Sequence, residues 1–147
     1  MPVKLIAIGA KPEDNLEFSG NPLCREILEM TIDFFNKVGY VPPWTGYFIQ
    51  QDDNLVGSAA FKGPPVNGAV EIAYGTFEPY RQQGIGTATC KLLVDLALKT
   101  DSTVRITART LPEENFSTRI LRKNGFNFVG TVIDPEDGPV WEWEFEK

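Results

Sequence analysis

The sequence predicts an α+β fold, a mixed and mostly antiparallel twisted sheet with helices on both faces and one parallel crossover. Three observations carry that expectation. Segments of strand and helix period follow one another as strand, helix, three strands, helix, strand, helix and two strands. Glycines mark helix ends, Gly39 and Gly125 closing two of them and Gly84 opening a third. The helix after Gly84 joins two strands, and such a strand–helix–strand connection lays those strands parallel. A chain of 147 residues is expected to form one domain, residues 1–147. At that size roughly 68–70% of the unfolded surface is buried, enough for a core without staples.

Each element has a local reason. "VKLIAI", Val3 to Ile8, is a short apolar run and reads as the first strand. After a polar stretch, Leu23, Ile27, Met30, Phe34 and Val38 recur at helical spacing, the expected buried stripe of the first helix. The tandem prolines of "GYVPPW" cannot continue it. "GYFIQQ" and "NLVGSAAF" flank Asp52-Asp53-Asn54 as an antiparallel hairpin, "KGPPVNG" is a loop, and "AVEIAYGTF" is the next strand. Beyond Gly84, Ile85, Ala88, Leu92 and Leu96 line one helical face. "STVRITAR" returns as a strand and "PEENFSTRILRKNGF" as a short helix. "FNFVGTVI" and "VWEWEF" form a hairpin around Asp137-Gly138. There Trp141, Trp143 and Phe145 alternate with Glu142, Glu144 and Glu146, a clear period of two. The tryptophans read as core or edge packing, with a homodimer contact as the alternative.

Composition narrows the function. With 14 basic and 20 acidic residues the net charge is −6. Neither nucleic acid nor an anionic membrane is an expected partner, since basic surface supplies most of that affinity. No run approaches the ~20 apolar residues of a membrane span, and the first apolar run is too short for a signal peptide, so a cytoplasmic protein is expected. Cys24 and Cys90 fall in separate predicted helices and are expected as free buried thiols rather than a disulfide. The chain has no histidine. That excludes Ser-His-Asp and Cys-His catalysis and any His-containing metal site, and no metal is expected. Acid–base chemistry falls to carboxylates, tyrosine, lysine, a hydroxyl or water.

Three readings compete for "RQQGIG", Arg81 to Gly86. One is a helix N-terminus with a flexible entry. A second is a dinucleotide fingerprint, but Thr89 stands where G-x-G-x-x-G needs its third glycine, and the element order is not doubly wound. The third is a phosphate cradle of another family. No Gly-Lys-Ser/Thr follows, so it is not a Walker motif. An anion suits the unfilled N–H groups and positive dipole end of the helix. Gly84 and Gly86 let the backbone approach phosphate oxygens, and Arg81 adds charge-assisted hydrogen bonds.

"RQQGIG" matches the Arg/Gln-x-x-Gly-x-Gly/Ala motif of the GNAT acetyltransferases. "EIAYGTFEPYRQQGIGTATCKLL" looks like their central strand and helix. "ARTLPEENFSTRILRKNGFNFVG" is similar to their C-terminal segment, with Asn115, Ser117 and the Gly125-Phe126 pair at matching spacing. The resemblance spans about Glu71 to Gly130 and leans toward the ribosomal-protein alanine acetyltransferases. It implies a single GNAT-like domain whose loop, Arg81, Gln82, Gln83, Gly84, Ile85, Gly86 and Thr87, grips the pyrophosphate of acetyl-CoA, the cosubstrate. Backbone groups near Thr76 and Phe77 would pair with the pantetheine arm by strand addition, and Asn115 would cap its helix and contact the same arm.

The resemblance also implies chemistry in which an amine attacks the thioester directly. Glu71 is the candidate base, with a solvated strand carboxylate as its alternative. Leu121 occupies the position where many relatives carry a tyrosine, so Ser117 becomes the candidate to hydrogen-bond the sulfur; its alternative is a hydroxyl bonded to its own helix. On a regular strand Glu71, Ala73 and Gly75 share a face, and a bulge would change that parity. Tyr74, Tyr80 and Cys90 read as packing residues. Lys91, Arg122 and Lys123 either reach the ribose phosphate or are solvated helix charges. The acceptor, a peptide N-terminus, polyamine or small-molecule amine, would meet roughly Glu17 to Trp44 and "KGPPVNG". Competing classes are a non-catalytic acyl-CoA-binding or regulatory domain and a nucleotide-binding module of another fold.

Overall fold

The computed structural model describes residues 2–147. Its strands are β1 (Val3–Ala7), β2 (Gly46–Gln51), β3 (Asn54–Phe61), β4 (Ala69–Thr76), β5 (Arg105–Thr110), β6 (Phe126–Asp134) and β7 (Gly138–Phe145). Its helices are α1 (Leu16–Ser19), α2 (Pro22–Val38), α3 (Ile85–Thr100) and α4 (Phe116–Lys123). The seven strands form one sheet in the order β1-β2-β3-β4-β5-β7-β6. Only β4 and β5, joined through α3, run parallel. The fold is the expected α+β arrangement.

Strand alternation divides the core between two faces. On one face Ile8 and Phe48 meet Phe18 of α1 and Cys24, Leu28 and Phe35 of α2. On the other, Tyr47, Ile49, Val70, Ile72 and Ile106 meet Cys90, Leu93, Val94 and Ala97 of α3 and Leu121 of α4. Helices therefore cover both faces.

The helical periods match the sequence, but their phases differ. On α2 the buried positions are Cys24, Leu28 and Phe35, whereas Leu23, Met30 and Val38 are 43%, 63% and 42% exposed. Two neighbouring apolar stripes fit one helix there, and the stripe that meets Phe48 and Ile8 is the inner one. On α3 the buried set is Ile85, Thr89, Cys90, Leu93, Val94 and Ala97, with Ala88, Leu92 and Leu96 at the margin. The polar stretch after β1 is ordered as well, as a 3-10 turn at Pro12–Asn15 followed by α1. Asn15 organises it from a fully buried position. Its Oδ1 accepts the Gly9 N–H at 2.7 Å, and its Nδ2 donates to the carbonyls of Gly9 (3.1 Å) and Lys11 (2.9 Å).

The feature that positions a site is the parting of β4 and β5. Their pairing runs from Ala69↔Arg105 to Ile72↔Ala108 and stops, although both strands continue. β4 stays with β3 as far as Gly57↔Thr76, and β5 stays with β7 as far as Thr110↔Trp141. Trp143 fastens the β5 side, its buried Nε1–H donating to Thr110 Oγ1 at 3.0 Å.

Replacing Asn15 with Ala strands the Gly9 N–H and two carbonyls in the interior. Asn15→Ala is expected to lower unfolding free energy by about 2 kcal/mol, read from the urea midpoint at unchanged slope.

Candidate active site

Where β4 and β5 part, a cavity of about 90 Å³ opens between the strands and α4. Ala73 and Tyr74 line it from β4, Arg109 and Thr110 from β5, and Ser117 and Leu121 from α4. The β3–β4 register is regular from Ile72 to Thr76, so no bulge disturbs strand parity. Glu71, Ala73 and Gly75 thus share the face opposite Val70 and Ile72, which pack on the α3 side. A Cβ built on Gly75 meets nothing within 4 Å, so that face is open there.

The same parity sorts the main-chain groups. Glu71 O accepts from Lys62 N at 2.9 Å and Phe77 N donates to Val56 O at 2.8 Å, so these residues turn their main chain toward β3. Gly68 O accepts from Arg105 N at 2.8 Å, and the even-numbered residues, Tyr74 and Thr76 among them, turn toward the gap. Phe77, expected beside Thr76 at the pantetheine arm, differs from Thr76 in its backbone direction. Its N–H is spent in the sheet and its ring is buried with Phe48. Tyr74 takes its place as a residue whose backbone faces the opening.

The Gly84-led N-terminus of α3 sits at the same end of the sheet. Gly84 is the N-cap of α3 at φ +80°, and Gln82 is also left-handed at φ +65°. The first α3 bond there runs from Ala88 N to Gly84 O, so the N–H groups of Ile85, Gly86 and Thr87 precede it, and no side chain caps them. Gly84 meets no atom a Cβ would touch, and its glycine answers the backbone angle. Gly86 is different, because a Cβ there would lie 2.7 Å from Ile120 Cδ1 of α4. Its small size serves helix packing rather than ligand approach alone. Ile85 is buried in the core, which leaves only its main chain for a ligand. Arg81, Gln82 and Gln83 are exposed. Arg81 Nε donates to Thr76 O at 3.2 Å, which anchors the guanidinium at the mouth with most of its five donors uncommitted in that bond.

On the open face Glu71 stands in an ionic cluster. Its Oε2 is 3.0 Å from Lys62 Nζ and its Oε1 is 3.8 Å from Arg109 Nε. Arg109 also meets Asp134 at 3.0 Å and Glu142 at 3.5 Å. Burial alone would lower the Arg109 guanidinium, but Glu71, Asp134 and Glu142 outweigh it and raise its pKa. Asp134 is held below the usual carboxylate range by the N–H groups of Glu136 and Asp137, then by Arg109. Neither Lys62 nor Arg109 is singled out by the sequence; their signal was strand parity, since Arg105, Thr107 and Arg109 alternate with buried Ile106 and Ala108.

Ser117 lines the cavity from α4, whereas Glu71 lies outside that lining, still paired with Thr107 and on the opposite face of the sheet from Val70 and Ile72. Asn115 caps α4: its Oδ1 accepts the Thr118 N–H at 3.1 Å and its N–H donates to Thr118 Oγ1 at 3.0 Å. Arg122 is committed elsewhere, bonded to both oxygens of Glu114 and stacked 5.0 Å over Trp143. Lys91 pairs with Asp95. Tyr74 packs against the core cluster that contains Cys90.

A larger cavity, about 360 Å³, lies on the Glu71 side between α1–α2 and the β2–β3 turn. Glu17 and Asp53 supply two carboxylates, Asn21, Gln50 and Asn54 supply amides, and none of the described lining residues is basic. Tyr80, just before the cradle, forms part of its wall.

A family profile described as the acetyltransferase (GNAT) domain matches residues 5–127. An uncharacterized N-acetyltransferase of Bacillus subtilis strain 168, YjdG, is 31% identical over 112 residues, which cover 74% of this chain and 62% of that protein. The match thus spans less than two thirds of that relative's length. Among solved structures, RimL, a ribosomal L7/L12 alpha-N-protein acetyltransferase in complex with coenzyme A, superposes with TM-score 0.71 at 17% identity, covering 98% of this chain and 93% of that one. A chimera of Vibrio cholerae spermidine N-acetyltransferase SpeG and hSSAT gives 0.74 at 13% identity, with 99% and 95% covered. The last two likenesses are of fold.

Both cysteines are free and buried. Burial pushes the Cys90 thiol up to about 12, offset in part by Tyr74, and the Cys24 thiol up to about 11. At about pH 8, an aromatic disulfide reagent should label the folded protein about a hundredfold more slowly than the urea-unfolded chain. A raised thiol pKa costs nothing while both states are protonated; stability should therefore fall as pH climbs past the unfolded thiol's value of ~8.5.

Proposed function

The chain belongs to the GNAT acetyltransferase family, and on that premise we propose that it transfers an acetyl group from acetyl-CoA directly to a primary amine. The observation that carries this reading is the gap between β4 and β5, which opens at the same end of the sheet as the uncapped N-terminus of α3. One linear molecule with a pyrophosphate and an amide-bearing arm fits both. The pyrophosphate would take the N–H groups of Ile85, Gly86 and Thr87 and the Arg81 guanidinium. The arm would lie in the gap as an added strand against Tyr74 and Thr76, with Asn115 nearby.

In this proposal the acceptor approaches across the open Glu71 face. Glu71 takes a proton from the ammonium, and the amine attacks the thioester carbonyl. Main-chain N–H groups of the parted strands receive the oxyanion. The carbon–sulfur bond breaks, and Ser117 donates a hydrogen bond to the departing sulfur. A thiol of pKa ~8.5 is a tolerable leaving group, so Ser117 assists without having to supply the proton. Leu121 fills the wall beside it and is itself buried. The 360 Å³ cavity, with Glu17 and Asp53 and no basic residue among its described lining, favours an acceptor carrying positive charge beyond the reacting amine.

Calorimetric titration with acetyl-CoA tests the cradle. Micromolar-range binding is expected, reduced about a hundredfold or more in Gly84→Glu, which adds bulk and negative charge at the open αL position. No binding by folded wild-type protein would sink the proposal.

Once an amine substrate is in hand, Glu71→Gln is expected to lower kcat by about 10²-fold, and Ser117→Ala by about tenfold. Acetyl-CoA affinity should stay unchanged in both. An unaltered kcat would remove that residue from the mechanism.

A further inference from the structure

The ion pair on Glu71 joins an amine of the chain itself to the carboxylate assigned as base. Lys62 follows directly on β3, and its N–H donates to Glu71 O at 2.9 Å, so the main chain sets the two residues side by side. Lys62 Nζ then lies 3.0 Å from Glu71 Oε2. Arg109 approaches the other oxygen, Oε1, at 3.8 Å. Oε2 is thus the oxygen that a lysine N–H already addresses. Glu71 is one residue before Ile72, where the β4–β5 pairing ends. The Lys62 side chain is 49% exposed and that of Glu71 20%, so the lysine is the more solvent-accessible member of the pair.

We infer that Lys62 is a site of self-acetylation, its Nζ serving as an acceptor within the same chain. The inference rests on the acetyl-CoA reading of the cleft and on Glu71 as base. Lys62 begins as the ammonium and gives one proton to Glu71 Oε2. The neutral amine attacks the thioester carbonyl, a carbon–nitrogen bond forms, and the carbon–sulfur bond breaks. The second nitrogen proton leaves with collapse of the adduct and the thiolate takes it up, giving the amide and free CoA thiol. Glu71 then returns its proton to water. The acetylated side chain carries no charge, so Glu71, Asp134 and Glu142 are left facing Arg109 as their remaining cation in the cluster. Modification therefore frees Glu71 Oε2 and makes the acceptor face more acidic, which favours a cationic substrate.

The test uses the full chain incubated with trideuteroacetyl-CoA in mildly alkaline buffer, with site-resolved tandem mass spectrometry and calorimetry run in parallel. Lys62 should be labelled about tenfold or more faster than the average of the other lysines, at a rate independent of protein concentration, as an intramolecular transfer requires. Glu71→Gln should slow labelling about tenfold, and Gly84→Glu should reduce it to the background of the other lysines. Lys62→Arg should remove the site and retain acetyl-CoA affinity. Binding of acetyl-CoA with Lys62 labelled no faster than its peers would overturn the inference and leave the acetyl-CoA reading standing. Labelling that proceeds equally in Gly84→Glu would also overturn it, as plain chemical acetylation. Absence of binding by the folded wild type would sink both.

Discussion

Beyond Ile72 and Ala108, β4 and β5 no longer satisfy each other because each remains bonded to a different neighbour. β4 follows β3 to Gly57↔Thr76, and Phe77 N extends the attachment to Val56 O. β5 follows β7, fixed by the buried Trp143–Thr110 hydrogen bond. A central pair of strands held apart from both sides no longer exchanges main-chain hydrogen bonds across the gap, which is costly unless water, a side chain or a ligand supplies partners. Arg81 Nε does so for Thr76 O. The cavity that Ser117 lines follows from that parting. Gly86 lies close to α4: a Cβ there would require the Ile120 side chain to shift. Asn124 Nδ2, donating to Thr87 O at 3.2 Å, ties the far end of α4 back to α3.

The two faces of the gap differ in chemistry. On the α3–α4 side the lining is mixed, with Leu121 beside the hydroxyl-bearing Tyr74, Thr110 and Ser117. On the other side lie Glu71, Arg109, Asp134, Glu142 and Lys62. Partly exposed pairs of this kind add little to stability on their own. Their weight is electrostatic: three carboxylates share two cations, so the cluster holds a small negative excess beside the opening. A net charge of −6 over the chain adds a background in the same sense. A cationic amine would meet this surface with favourable potential, and a carboxylate-bearing one would not.

The α2 and α3 helices show where periodicity stops being informative. Leu23, Ile27, Met30, Phe34 and Val38 form a correct helical series, yet the adjacent series through Cys24, Leu28 and Phe35 is the one that packs. Period is a property of the local chain, while phase depends on which stripe meets Phe48 and Ile8 across the sheet. The pair Thr76 and Phe77 makes a similar point in the backbone. Consecutive residues of a strand turn their hydrogen-bonding groups to opposite sides, so Thr76 reaches the gap and Phe77 cannot.

By itself the sequence determined the α+β class, the order of the seven strands and of α2, α3 and α4, the single parallel crossover, the buried free cysteines and the glycine-led start of α3. These follow from local periodicity and turn chemistry, which a chain carries wherever it folds. Its "RQQGIG" and C-terminal segment also pointed to the family, because those motifs are short and contiguous in sequence. Tertiary structure alone decided which helix stripe is buried, that Glu71 is paired with Lys62 and Arg109, and that Ser117 of α4 lines the cavity where β4 and β5 part. Those relations join β3, β4, β5, β6, β7 and α4, segments far apart along the chain. Their register is set by cross-strand hydrogen bonds and side-chain packing that no local spacing encodes.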